Sequence, residues 1–101
     1  MANETYIDRL RQVIEQMLRC DASHVESVHV HETFRGKIVW EGDVEVFAIS
    51  KHPKAKTCYA WSWQDGPVEH IATVLRLPPV KTPADAVKTH IVGELKKRKA
   101  N

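Results

Sequence analysis

His29 and His31 stand two residues apart, and on a β-strand that spacing points both rings from one face, as a strand-borne metal site requires. Cys20, His24 and Glu32 are the nearest further donors. Glu32 has the opposite parity, and a metal needs three or four convergent ligands with outer support. Two histidines on a solvated strand face, without metal, are therefore expected. Cys58 and His52 offer a thiol and a base, since a thiolate beside basic residues is activated. No orienting third group or oxyanion hole follows at recognisable spacing, so Cys58 is expected to be buried and inert. Glu41, Asp43 and Glu45 put three carboxylates on one strand face, where they could act as acid and base or hold a cation. A solvated outer face accounts for all three. The chain has no phosphate-binding glycine loop, no G-x-S-x-G elbow and no zinc-finger spacing. It offers no catalytic residue, and no cofactor is implied; a small metal-dependent enzyme ranks third among the functional readings.

The most distinctive segment is Lys51-His52-Pro53-Lys54-Ala55-Lys56, running through Thr57 and Cys58 into Tyr59-Ala60-Trp61-Ser62-Trp63. Alternation sets Tyr59, Trp61 and Trp63 on one sheet face and Cys58, Ala60 and Ser62 on the other. Large aromatics bury extensive apolar area, so a place beneath a helix is the expected one. On an open face the same rings, beside Lys51, His52, Lys54 and Lys56, would form a stacking platform for single-stranded nucleic acid or an anchor patch for a protein.

Charge is local in this chain. The net +2 combines 15 basic with 13 acidic residues. Lys51, Lys54 and Lys56 lie in one acid-free stretch, and Lys96, Lys97, Arg98 and Lys99 in another. Setting those seven aside leaves eight basic residues against 13 acidic ones, a balance of −5. Cations at a helix C-terminus suit its dipole, so the second cluster reads as a solvated tail that could also add nonspecific affinity for phosphates.

The elements that must carry these groups follow from periodicity. Ile7, Leu10, Ile14 and Met17 recur at helical intervals, widened by Val13 and Leu18, which predicts a helix over 4–19. From Val25 the period becomes two: Val28, Val30 and Phe34 oppose Ser27, His29, His31 and Thr33. Arg35-Gly36 suits a tight turn. Ile38, Trp40, Val44, Val46 and Ala48 form one row of the next strand, and Phe47 and Ile49 make its far end apolar on both sides. Gly42 marks a bulge or bend. A third strand spans Thr57 to Trp63, Gln64-Asp65-Gly66-Pro67 is turn chemistry, and His70 to Leu77 form a fourth strand stopped by Pro78-Pro79. Thr82-Pro83-Ala84-Asp85 starts a last helix with a buried stripe of Ala84, Val87, Ile91 and Leu95. Gly93 within it suggests close packing.

The expected fold is α+β: an N-terminal helix, a four-stranded antiparallel meander and a C-terminal helix, α-β-β-β-β-α, with both helices on one sheet face. The 101 residues, 43% hydrophobic and 28% charged, fit a single domain over 1–101 with a flexible basic tail about 96–101. No apolar run approaches the roughly 20 residues of a membrane span. The segment MANETYIDRLRQ lacks the basic and apolar regions of a signal peptide. Two cysteines are too few for a disulfide framework, so free thiols and a cytoplasmic location are expected.

The strand Trp40-Glu41-Gly42-Asp43-Val44-Glu45-Val46-Phe47, with His52-Pro53-Lys54-Ala55-Lys56 and Tyr59-Ala60-Trp61, resembles a family of small bacterial proteins of unknown function. That resemblance covers nearly the whole chain and implies no activity and no site residues. The element order is also similar to the double-stranded RNA-binding domain, a helix, three strands and a helix. The chain departs from it in its fourth strand, in lacking a Gly-Pro-x-His loop between the first two strands, and in a last helix that starts without a lysine cluster. Shared element order carries no function.

The leading expectation is a noncatalytic binding or accessory module that recognises a protein partner through the sheet face or the 51–56 loop. Nucleic-acid binding through Lys51, Lys54, Lys56, the basic tail and the Tyr59, Trp61 and Trp63 face is the alternative. A homodimer through a sheet edge is a further expectation, with His70–Leu77 as the pairing strand.

Overall fold

The computed structural model describes residues 4–100, apart from the side chains of Phe34 and of residues 94–100. Helix α1 spans Glu4–Leu18, followed by strands β1 (Asp21–Phe34), β2 (Lys37–Ser50), β3 (Thr57–Asp65) and β4 (Val68–Leu75), then helix α2 (Pro83–Ala100). The four strands form one antiparallel sheet in the order β1-β2-β3-β4. This is the expected α+β order. The Lys96, Lys97, Arg98 and Lys99 segment belongs to α2 by its backbone; its side chains lie outside the described residues.

Turn chemistry fixes the hairpins. Arg35 and Gly36 adopt φ of 54° and 78°, the left-handed pair that suits a two-residue hairpin between right-twisted strands. Gly66 at φ 62° makes the β3–β4 turn ahead of Pro67. At the start of α2 the Asp85 N–H donates to Thr82 Oγ1 at 3.1 Å, and Asp85 Oδ2 accepts from the Lys81 N–H at 3.0 Å. These bonds satisfy orphan donors of the first turn. The Lys81 bond, ahead of those from Thr82, holds the Asp85 carboxyl below its ordinary range.

The placement of the helices departs from expectation. Leu10 and Ile14 of α1 pack with Phe47, Ile49, Cys58 and Ala60. Ala86 and Val87 of α2 pack with Val44, Val46, Tyr59 and Trp61. Along β2 and β3 these are alternate residues, so the helices cover opposite faces of the sheet, not one. The physical reason lies in the strands: Val44 to Phe47, Ile49, and Cys58 to Trp61 are buried, so apolar side chains point to both faces, and a sheet apolar on both faces needs a layer on each.

Two further corrections concern glycines. Gly42 pairs with Val30 in regular register, and the irregularities fall instead between His24 and Glu26 and between Glu32 and Thr33. A Cβ at Gly42 would meet the Trp40 indole at 3.2 Å, so glycine here makes room for a ring lying over the strand. Gly93 faces open space and serves no close packing. Gly93→Ala is therefore expected to stabilise the domain by about 0.5–1 kcal/mol, read as a higher midpoint in thermal melts followed by circular dichroism.

Pairing between β2 and β3 covers only Glu45–Ala48 against Thr57–Ala60. The other half of β2, from Lys37 to Val44, pairs with β1 alone. The β1–β2 hairpin therefore extends past β3 as an arm.

Candidate binding surface

The loop between β2 and β3 is ordered by its own backbone. His52 Nδ1 accepts from the Lys54 N–H at 3.1 Å and the Ala55 N–H at 3.0 Å. Ala55 is buried in the core beneath α1, which anchors the middle of the loop. The Ile49 N–H donates to the Lys56 carbonyl at 2.9 Å and closes the loop. Lys51 sits at φ 69° with Nζ 3.0 Å from Asp21 Oδ2. That hydrogen bond, with the Asp21 charge, raises the Lys51 pKa. His52 thus shapes the loop, and Lys51 faces a carboxylate of its own chain. Lys54 and Lys56 are exposed, and neither has an ion pair among the described residues.

The register adds cations that linear sequence does not connect. The Arg76 N–H donates to the Thr57 carbonyl at 3.0 Å, which places Arg76 beside the end of the loop. Arg19, two residues before β1, lies at the same end because Asp21 pairs with Ser50. Arg19, Lys54, Lys56 and Arg76 are all exposed. Sequence reasoning missed Arg19 and Arg76, since only strand pairing brings them to the loop.

Tyr59 and Trp61 do not join this surface. They are 3% and 1% exposed beneath α2, the expected place beneath a helix, so the alternative of a stacking platform fails for both rings. Trp63 is half-buried, stacked on His70 at 5.3 Å between ring centroids and edge-on to His90 at 5.0 Å. Trp61 meets Trp40 and His90 edge-on at 5.9 and 5.6 Å. The aromatics are a structural cluster, because α2 takes the face they occupy.

On the other face α1 leaves the arm open. His29 lies between two carboxylates, with Nε2 3.0 Å from Glu41 Oε2 and Nδ1 3.0 Å from Asp43 Oδ1. His31, opposite Glu41, is exposed on the same face. No group of three or more His, Cys, Asp or Glu among the described residues is arranged to hold a metal ion. The hydrogen bond to Glu41, then that to Asp43, raises the His29 pKa. Stability from this pairing is present below the ordinary histidine pKa of about 6.5 and is lost as pH rises through the raised value. Proton NMR should place the His29 midpoint above about 6.5, and Glu41→Gln with Asp43→Asn should lower it. A midpoint unmoved by both changes would show that the carboxylates do not set it.

Glu45 departs from the solvated row in which its spacing places it. It is fully buried, with Oε1 accepting from the Ser27 hydroxyl and lying 2.8 Å from His24 Nε2. Oε2 is buried and has no hydrogen-bond partner among the described residues. Glu41 and Asp43 share the parity of Glu45 with Phe47 and Ile49, so no local signal singles Glu45 out; His24 and Ser27 join it across the bulge at Val25.

Cys58 is fully buried, with Sγ 3.7 Å from the Tyr59 carbonyl. Burial pushes its thiol up to about 12. Unfolding returns it to the ordinary range, so between about 9 and 12 the unfolded chain has lost a proton that the folded chain keeps. Stability is expected to fall through that window by about 1.4 kcal/mol per pH unit. Urea unfolding across the window tests this, and Cys58→Ala should make the slope shallower, the remainder coming from Cys20 and Tyr59, whose pKa values burial also raises.

No family model, curated protein or solved structure matches this chain. Among the described residues no helix is long and apolar enough to cross a membrane.

Proposed function

We propose that this chain is a noncatalytic binding module that takes an acidic segment of a protein partner on the basic end of its sheet. The observation that carries this reading is the shape of the 51–56 loop. Two backbone N–H groups on His52 and the buried Ala55 fix the loop before any partner arrives, so little conformational freedom remains to be lost on binding. The fixed loop leaves Lys54 and Lys56 exposed, with Arg76 and Arg19 at the same end of the sheet. Such a cluster steers an acidic partner and sets its orientation. A protein is favoured over nucleic acid because Tyr59 and Trp61 are buried, which removes the stacking that single-strand binders rely on. A reducing, cytoplasmic setting suits Cys20 and Cys58, both free and buried.

The test is fluorescence anisotropy of the full chain with a labelled oligoglutamate peptide, compared with single-stranded and duplex oligonucleotides of equal charge. Peptide binding should weaken with salt. The Lys54→Glu, Lys56→Glu double variant should weaken it by about five- to thirtyfold, each reversed surface charge contributing about 0.5–1 kcal/mol. Absence of peptide binding at low salt removes the reading. Tighter binding of an oligonucleotide than of the peptide replaces it with nucleic-acid recognition.

A further inference from the structure

The two outer strands of the sheet differ in how they are protected. β1 has register irregularities at each end of its central stretch, and its row on the α2 side carries Glu26 and Glu32. Bulges and charges of this kind discourage a second strand from adding to an edge. β4 has neither device along its middle. Its register with β3 runs unbroken from Val68 to Leu75, and Ile71-Ala72-Thr73-Val74-Leu75 contains no charged residue, lysine or proline. Among the described residues only β3 pairs with β4, so β4 presents one row of backbone donors and acceptors outward, with the Leu75 carbonyl also accepting from the Leu77 N–H at 2.9 Å. Ile71, Thr73, Val74 and Leu75 are half-buried and Val68 is 51% exposed.

From this contrast we infer that β4 pairs with β4 of a second copy of this chain, joining two sheets into one of eight strands across a two-fold axis. The sequence of β4 is complementary to itself. Antiparallel pairing about Ala72 sets His70 against Val74 of the second copy, Ile71 against Thr73, and Glu69 against Leu75. Val68 then meets Arg76 of the second copy. Every pair lies on a common face, as the strand period requires, and no two like charges stand opposite. Such an isologous contact closes on itself and leaves no free β4 edge. It also leaves the arm of β1 and β2, and the 51–56 loop, at the outer parts of the dimer.

Sedimentation of the wild-type chain over a concentration series should show its mass rising from one chain of 11.5 kDa to two. Backbone amide exchange should slow with concentration in residues 68–75 and stay unchanged in β1. Thr73→Lys, which puts a charge on the pairing edge, should remain a single chain throughout while keeping the wild-type melting temperature in dilute solution. If that variant melts early, the wild-type exchange pattern still decides. A single-chain mass up to millimolar concentration, or concentration-dependent protection in β1 rather than β4, overturns the pairing.

Discussion

Trp61→Ala is expected to destabilise the domain by about 3–5 kcal/mol, the range for truncating a buried tryptophan. Trp61 is 1% exposed and sits among Tyr59, Val44, Val46, Ala72 and Val87 beneath α2. Its ring is met edge-on by Trp40 and His90, so the cavity left by alanine would be walled by large side chains with little room to collapse. A domain of this size has about 5–15 kcal/mol in total, so the loss is a large share. Trp61→Phe should cost far less. The indole Nε1 is buried with no hydrogen-bond partner among the described residues, and phenylalanine removes that unmatched donor while keeping most of the apolar area. Urea denaturation followed by circular dichroism compares the two. Equal losses in both variants would overturn this account.

Glu45→Leu should act in the opposite direction and raise stability, by about 1–3 kcal/mol. The wild-type carboxylate is fully buried, and its Oε2 is unmatched among the described residues. Leucine removes that group at similar volume. His24, with a side chain 27% exposed, and the exposed Ser27 can turn to water when Glu45 is gone. Glu45→Gln should bring no such gain, because it keeps a polar atom in the unmatched place. Chemical denaturation of the three proteins at neutral pH distinguishes these outcomes, and a destabilised Glu45→Leu would sink the account. A buried carboxylate kept against this cost marks the boundary between the α1-covered sheet and the open arm that carries His29 and His31.

Much of the fold was legible in the chain because it rests on local signals. The 3.6-residue stripe from Ile7 to Ile14, the alternation around Val28, the Arg35-Gly36 turn and the Thr82-Pro83-Ala84-Asp85 start each constrain a few neighbouring residues, and each appears where its pattern places it; Met17, expected on the same stripe, is 66% exposed. The site was less legible. Lys54 and Lys56 are exposed as their composition suggests, but His52 proves to be a backbone acceptor and Lys51 a partner of Asp21. Arg76 and Arg19 reach the loop only through strand register. Glu45 shares a row with Glu41 and Asp43, and nothing local distinguishes a carboxylate that the β3 strand and α1 layer will cover from two that lie on the arm beyond them.

The aromatic strand and its lysine loop divide along the same line. The sequence by itself determined that Tyr59, Trp61 and Trp63 share one face and Cys58, Ala60 and Ser62 the other, because side-chain period in a strand is set by backbone geometry. Which face a helix would cover was decided only by tertiary packing. Both faces are apolar around Val44–Ile49, so burying either row alone would leave the other in water. The chain resolves this by placing α1 over Phe47, Ile49, Cys58 and Ala60 and α2 over Val44, Val46, Tyr59 and Trp61. The aromatics thereby become core, and the exposed lysines of the 51–56 loop stand apart from them at the end of the sheet.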